Sequence, residues 1–238
     1  MFPGYRVSLL AFALAVGGMA CGESSPIAGP EPLTSPRSAL STGGTVFEHT
    51  MSGARPLAGV RLRVFQALPN VPSNQFVDVT SGADGSFNVA KPDSTYFVTA
   101  HTAPGSSYFT PCPAFSWSQA ARVELDVHVV SGAILSTAGM PPSYPTQSQS
   151  GGFRALISGR VFESTAGRLE SVSGATVAMG RNEEEFATLS DANGRYLLCS
   201  VGNTEVAVLV SARKAGYQSA SEFNVPWFGW DLDFQLRR

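Results

Sequence analysis

Charged side chains are scarce in this sequence. Asp, Glu, Lys and Arg make up 14% of the 238 residues, and the formal net charge is only -2. Such a chain has no basic field with which to hold a nucleic acid or an anionic lipid surface, so we expect no nucleic-acid partner. The chain is nevertheless expected to fold, because its 43% hydrophobic content is enough for packed cores.

The sequence also lacks common catalytic and metal-binding motifs. It has no Gly-x-Ser-x-Gly elbow, no phosphate-binding loop and no Cys-x-x-Cys pair. None of the three histidines, His49, His101 and His128, begins the His-x-x-Glu motif of a zinc peptidase. We therefore predict a protein that is not an enzyme, with no catalytic residues, no metal and no cofactor, and we keep a hydrolase as a remote alternative.

The apolar stretch at the N-terminus is too short to cross a membrane as a mature helix. Val7–Val16 follows the positively charged Arg6, and Gly18 and Ala20 supply small residues at a cleavage site. This pattern predicts a secretory signal peptide over residues 1–20.

Cys21 follows the predicted signal peptide directly, and this arrangement resembles the lipobox of bacterial lipoproteins. The resemblance implies acylation of Cys21 and an anchor with several acyl chains. Gly18 and Met19 depart from the usual lipobox, so secretion after a simple cut behind Ala20 is the alternative. The rest of residues 21–42 is rich in Pro, Ser and Gly and predicts a flexible tether.

Two stretches of the chain occur twice. Gly44–Thr50 (GTVFEHT) returns as Gly159–Thr165 (GRVFEST), and Ser81–Phe87 (SGADGSF) returns as Ser190–Tyr196 (SDANGRY). Matched strands and turns at this spacing predict two similar small domains in tandem, over residues 43–132 and 154–238. A Pro, Ser, Gly and Gln-rich stretch over residues 133–153 predicts a flexible linker between them.

Apolar and polar residues alternate in several segments, as in strands with one face on a core and the other in water. Clear examples are Val60–Val64, Val123–Val129 and Leu232–Leu236. Asp84-Gly85 and Asn193-Gly194 predict tight turns with a positive φ at each glycine. The fold class is therefore predicted to be all-β, with two tandem antiparallel β-sandwich domains.

The order of these motifs resembles the carboxypeptidase regulatory-like domain, a transthyretin-like β-sandwich. Each copy has Gly-x-Val-Phe-Glu, then a Pro56–Val60 or Val172–Val177 segment, then an Asp/Asn-Gly turn, and the second copy adds Lys214–Tyr217. The resemblance implies an accessory sandwich in duplicate without a peptidase domain. In bacterial proteins it implies a non-catalytic module for adhesion, carbohydrate contact or scaffolding.

Aromatic residues before the last strand of each copy are the candidate ligand-binding residues. Exposed rings stack on sugars, whereas buried rings would close the end of each core, and the sequence leaves both roles open. The candidates are Trp117, Trp227, Phe228 and Trp230.

Two further patterns have a chemical and a structural interpretation. Glu124, Asp126 and His128 share one face of a predicted strand, at a spacing that suits a metal site, but a solvated strand face explains them as well. Asp191-Ala-Asn-Gly194 resembles the start of a calcium loop, but no carboxylate follows to close the coordination shell, which favours a hairpin turn.

Two cysteines remain after Cys21. Cys112 lies in the first copy and Cys199 in the second, so a disulfide between them would join the two predicted domains. Export to an oxidising compartment favours this pair, whereas a lone cysteine in each domain is commonly a small buried apolar residue. The sequence leaves both states open.

Together these features predict an exported, membrane-anchored module of the bacterial envelope, periplasmic or at the cell surface. We expect it to bind or scaffold other components, with the membrane and a glycan or envelope protein as partners. A carbohydrate-binding accessory protein with exposed aromatics is the alternative.

Overall fold

The structure is a computed structural model. It describes residues 40–67, 76–91, 97–116, 118, 120–145, 154–179, 186–201, 208–225 and 230–238. Both sequence repeats belong to one compact unit. Strands dominate the described residues, and the predicted all-β class is confirmed.

The first repeat contains ten described strands, which form two sheets. They are β1 (Ser41–Thr50), β2 (Gly53–Pro56), β3 (Arg61–Ala67), β4 (Phe76–Thr80), β5 (Ser86–Ala90), β6 (Phe97–Thr102), β7 (Tyr108–Phe109), β8 (Ala114–Ser116), β9 (Arg122–Glu124) and β10 (Val127–Ser131). One sheet has the order β2-β1-β10-β7, with β5 and β9 also paired to β1, and the other has the order β4-β3-β6-β8.

The second repeat forms the corresponding pair of sheets. Its described strands are β11 (Arg154–Thr165), β12 (Arg168–Ser171), β13 (Thr176–Met179), β14 (Phe186–Leu189), β15 (Arg195–Val201), β16 (Val208–Arg213), β17 (Ala220–Val225), β18 (Trp230–Asp231) and β19 (Phe234–Leu236). One sheet has β12-β11-β15 with β18 and β19 paired to β11, and the other has β14-β13-β16-β17.

Each repeat has its own apolar core. Val46, Leu62 and Val127 are fully buried in the first core, and Val161 and Val177 occupy the second. The predicted alternation is confirmed in the closing strands, because Val123, Leu125, Val127 and Val129 are buried while Glu124 and Asp126 are exposed. The boundaries of 43–132 and 154–238 as separate domains stay a prediction.

The closing segments pair in a direction that the sequence analysis did not predict. β9 and β10 run parallel to β1, and β18 and β19 run parallel to β11, although antiparallel partners were expected. Alternation reports which face of a strand is buried and carries no information on the direction of its neighbour. The expectation of purely antiparallel pairing was therefore wrong for these strands.

Each closing segment is interrupted where it passes the repeated glycine. Leu125 N–H donates to Gly43 O at 2.7 Å, and Leu232 N–H donates to Ser158 O at 2.7 Å. A Cβ at Gly44 or at Gly159 would lie 1.9 Å from the carbonyl oxygen of Leu125 or Leu232. The first residue of the repeated Gly-x-Val-Phe-Glu motif therefore makes room for a strand backbone.

The two predicted turn glycines have the expected conformation. Gly85 has φ 81° and Gly194 has φ 74°, in the left-handed region that glycine adopts without strain. Their carbonyls accept the N–H groups of Val46 and Val161 at 2.9 and 2.7 Å. The predicted turns are confirmed, and each also holds the central strand of its repeat.

The first part of the predicted linker differs from the expectation. Residues 132–138 form a helix, α1 (Gly132–Ala138), because Ser131 Oγ accepts the Ile134 N–H and Gly139, at φ 83°, ends it. Leu135 and Tyr144 are buried at 1% and 4% exposure. The flexible-linker prediction was therefore wrong for residues 133–145, because the side chains of Leu135 and Tyr144 are buried there, and residues 146–153 lie outside the described residues.

Within the described residues, no helix has the length and apolar character needed to cross a membrane.

Candidate functional site at the junction of the two repeats

A disulfide between Cys112 and Cys199 joins the two repeats. Their Cα atoms are 4.6 Å apart, and the bond spans 87 positions of sequence. Cys199 N–H also donates to Pro111 O at 2.9 Å, so a backbone hydrogen bond accompanies the covalent one. The sequence left the state of these cysteines open, and the tertiary structure brings them together.

A small apolar cluster surrounds the disulfide. Val130, Leu135 and Tyr144 are buried with Cys112 and Cys199, and they come from β10, α1 and the segment after α1. The Tyr144 hydroxyl accepts the Cys112 N–H at 3.0 Å and lies 3.2 Å from the carbonyl oxygen of His128, to which it donates. The segment that follows the first repeat thus completes the junction.

Two histidines lie beside Tyr144. His49 Nε2 is 2.8 Å from His128 Nδ1, and His49 Nδ1 is 3.1 Å from Ser143 Oγ. Burial lowers the pKa of His49, against the opposing effect of a hydrogen bond to the Ser143 backbone. In this chain of hydrogen bonds His128 stands where a hydrolytic triad has a carboxylate, so it brings no negative charge to stabilise an imidazolium.

A cleft of about 260 Å³ opens between the two repeats. One wall comes from β6 and the segment after it, with His101, Thr102 and Ser106, and the other wall comes from Thr176, Ala187 and Arg213. Ala187 and Arg213 pair with Ala178 and Thr176 on the sheet face opposite the core residues Val177 and Ala212. The outer sheet face of the second repeat therefore forms one side of the cleft.

His101 is the buried titratable group of this cleft. Its ring stacks on Phe65 at 5.5 Å and meets the edge of Phe186, from the second repeat, at 5.3 Å between ring centroids. Burial lowers the pKa of His101 to about 4, so the ring is neutral at physiological pH. His101 Nδ1 lies 2.9 Å from the Thr102 carbonyl, which can only accept, so Nδ1 carries the proton and Nε2 is an acceptor.

Most residues predicted to export or anchor the protein or to bind a ligand lie outside the part of the chain that the structure describes. This holds for the signal peptide, for Cys21 and residues 22–39 of the tether, and for Trp117, Trp227 and Phe228. The tether prediction was wrong for its last residues, because Ser41 and Thr42 belong to β1 and Thr42 is buried. Trp230 belongs to β18 and pairs with Ile157 through its backbone, while its side chain is outside the described set. The proposed aromatic ligand site therefore stays a prediction.

The residues considered for a metal site do not converge in the structure. Glu124 forms an ion pair with Arg122, Asp126 Oδ1 accepts the Thr45 N–H at 3.3 Å, and His128 contacts His49. Asp191 Oδ1 accepts the N–H groups of Asn193 and Arg195, both at 2.8 Å, as the side chain of a hairpin turn does. No group of three or more metal-ligating side chains comes together among the described residues.

The sequence analysis did not find three parts of the junction. They are Tyr144, the helix α1, and the cleft with His101 and Arg213. A local signal existed for α1, since Ser131 and Gly139 are good helix caps. No local signal existed for the cleft, because its walls are far apart in sequence.

The fold and the junction define a class of protein with two β-sandwich-type repeats joined by a disulfide. No family model matches the chain, and no curated protein matches it. Solved structures with some likeness include the shaft pilin SpaA of Lactobacillus rhamnosus GG, at 12% identity and TM-score 0.29, which covers 83% of this chain and 97% of the pilin chain. A minor pilin of Streptococcus agalactiae has 7% identity and TM-score 0.28, over 83% of this chain and 95% of its own. Likeness at this distance assigns neither a family nor a function.

Proposed function

We propose that this chain is an exported, non-catalytic module of the bacterial envelope that scaffolds or binds other envelope components. The single observation that carries the proposal is the buried disulfide between the two repeats. Disulfides persist in oxidising compartments and are rare in the bacterial cytosol, which agrees with the predicted signal peptide. The carboxypeptidase regulatory-like resemblance is part of this proposal.

The junction suits a scaffold because it holds the repeats together at several points. Besides the disulfide, Ser173 Oγ donates to Ser136 O at 2.8 Å, and Cys199 N–H donates to Pro111 O at 2.9 Å. A tandem module tied in this way presents its surfaces at a fixed spacing, whereas a flexible linker would not. Cross-linking in intact cells tests this part: the protein should form covalent adducts with one or a few envelope components, and an absence of such adducts would count against scaffolding.

Anchoring at Cys21 is the second part of the proposal. We expect Cys21→Ser to move the protein from the membrane fraction to the soluble fraction, because the acyl chains would be lost. Ser35→Ala, in the same predicted tether, is the matched control and should stay with the membrane. Labelling with a radioactive fatty acid gives the direct reading, and a wild-type protein that is cut after Ala20 without taking up label would show plain secretion.

A further inference from the structure

We propose that an open groove on the first repeat binds a short, uncharged oligosaccharide. The groove has a volume of about 610 Å³ and lies on the outer face of the sheet in which β1 is flanked by β5 and β9. It is separate from the predicted aromatic residues. The inference rests on the proposed binding function and names the class of ligand.

The floor of the groove follows the central strand β1. Ser41, Gly43 and Thr45 line it, and Gly43 contributes no side chain. Because neighbouring strands are spaced at about 4.8 Å, β5 and β9 stand about 10 Å apart on either side of this floor. The floor from Ser41 to Thr45 is about 13 Å long at the usual rise of a strand. A groove of these dimensions suits a few linked sugar rings better than a single small molecule.

The walls of the groove carry side chains that donate and accept hydrogen bonds. Asn88 on β5 and Glu124 on β9 both pair with Gly43, so their exposed side chains flank it. The Asn88 amide donates and accepts, whereas the Glu124 carboxylate only accepts. Ser86 and Asp126, both exposed, continue the two walls. This mixture matches the hydroxyls of a sugar, each of which donates and accepts.

The charges of the groove favour an uncharged ligand. Arg122 is the basic side chain among the described lining residues, and it already forms an ion pair with Glu124, so it does not select an anion. Asp126 gives the lining an excess of negative charge, which disfavours an acidic ligand. A metal ion is disfavoured as well, because no three metal-ligating side chains come together in the described part of the chain.

The strand pairing of the groove favours a sugar over a peptide. A peptide that extends a sheet needs an unpaired strand, whereas β1 is paired here on both sides. A peptide that binds through its side chains needs pockets, which apolar residues commonly line. The apolar members of the described lining are Val79, which is half-buried, and Phe87, which belongs to the core.

The second repeat shows the same sheet face in a filled form. Across β15, β11 and β18 the corresponding row is Leu197, Ser158 and Asp231. Ser158 stands in the place of Gly43, and its Oγ donates to Asp231 Oδ1 at 2.7 Å. Leu197 has no polar group where Asn88 has an amide. The second repeat thus fills with its own side chains the face that the first repeat leaves open.

Titration calorimetry on the purified, oxidised protein tests the proposal. The probes are the neutral trisaccharides maltotriose, cellotriose, laminaritriose and triacetylchitotriose, and the comparisons are glucose and the acidic trigalacturonate. We expect at least one neutral trisaccharide to bind at a single site per chain, more tightly than either comparison. The proposal is overturned if none of them binds at concentrations up to about 10 mM, or if trigalacturonate binds as tightly.

Variants that copy the second repeat locate the site. Asn88→Leu removes the amide, and Thr45→Arg places in the groove the larger side chain that Arg160 has at the corresponding position. Each should weaken trisaccharide binding roughly ten-fold or more. Arg160→Thr makes the reverse exchange in the second repeat and is the matched control, which should bind as the wild type does.

A thermal melt confirms that each variant is folded. Trisaccharide binding that neither Asn88→Leu nor Thr45→Arg weakens would overturn the assignment to this groove. A negative result would leave the cross-linking and membrane-fractionation experiments unaffected, so failure of the groove is distinguishable from failure of the proposed function.

Discussion

At the scale of single residues, the repeated motifs are explained by close backbone approaches. Gly44 and Gly159 lie under the carbonyls of Leu125 and Leu232, and next to each, an aspartate accepts a backbone N–H. Asp126 Oδ1 accepts from Thr45 at 3.3 Å, and Asp233 Oδ1 accepts from Arg160 at 2.7 Å. Each repeat thus has one glycine that makes room for the closing strand and one aspartate beside it that accepts a backbone N–H.

The glycine of this pair, Gly44 or Gly159, should tolerate no side chain. In Gly159→Ala the new Cβ would lie 1.9 Å from Leu232 O, a backbone atom, so the closing strand must shift. We expect a loss of about 3 kcal/mol in the free energy of unfolding, measured by denaturant titration. Gly82→Ala is the control, since its Cβ would meet a side-chain oxygen of Asp84 at 3.3 Å and should cost far less. Equal losses in the two variants would refute the explanation.

The second residue-scale prediction concerns acid. His101 has a pKa of about 4 in the folded protein and 6.5 as its ordinary value, so the unfolded chain binds a proton more readily than the folded one. The stabilising effect of the neutral ring is complete above pH 6.5 and is lost as pH falls toward 4, by about 3 kcal/mol in all. The lowered pKa of His49 acts in the same direction.

Unfolding titrations at several pH values between 4 and 7 measure this effect. His101→Phe keeps a ring between Phe65 and Phe186 but does not titrate, so its stability should fall less over this range than that of the wild type. Parallel pH profiles for the two proteins would assign the acid sensitivity to other groups.

At the scale of elements, the segment of α1 and Tyr144 is part of the folded core although its composition suggests a linker. The Tyr144 hydroxyl accepts a hydrogen bond from Cys112 N–H and donates one to His128 O. We expect Tyr144→Phe to lower the free energy of unfolding by about 1–3 kcal/mol, because these buried groups lose a partner. Tyr144→Ala should cost roughly 3–5 kcal/mol, since the ring is lost as well.

Thermal and denaturant unfolding of both Tyr144 variants measures these losses. The difference between the two variants reports the packing of the ring against the cluster. If both variants kept the wild-type stability, the segment after α1 would contribute nothing to the junction.

At the scale of the whole molecule, the disulfide links chain segments 87 positions apart. On the chain-entropy account, closing a loop of this length stabilises the folded protein by about 4–5 kcal/mol. The Cys112→Ser/Cys199→Ser double variant should show this loss in denaturant titration, and the wild type should show a similar loss in reductant.

Mass spectrometry of the unreduced exported protein tests the bond directly. A linked peptide with Cys112 and Cys199 is expected. Complete alkylation of both thiols after unfolding without reductant would mean that the repeats are held only by their non-covalent contacts.

The sequence by itself determined the features that depend on neighbouring residues. The alternation of Val123–Val129 indicated the buried face, the Asp84-Gly85 and Asn193-Gly194 pairs indicated the turns, and the repeated motifs indicated two similar all-β repeats. Each of these is a local pattern, because side-chain direction in a strand and φ in a turn are set within a few residues.

Only the tertiary structure decided the features that join distant segments. The parallel direction of the closing strands, the burial of Tyr144, the pairing of Cys112 with Cys199 and the cleft between His101 and Arg213 all bring together residues that are far apart in the chain. No local preference encodes such contacts, since they arise when two sheet faces and a helix share the same buried space.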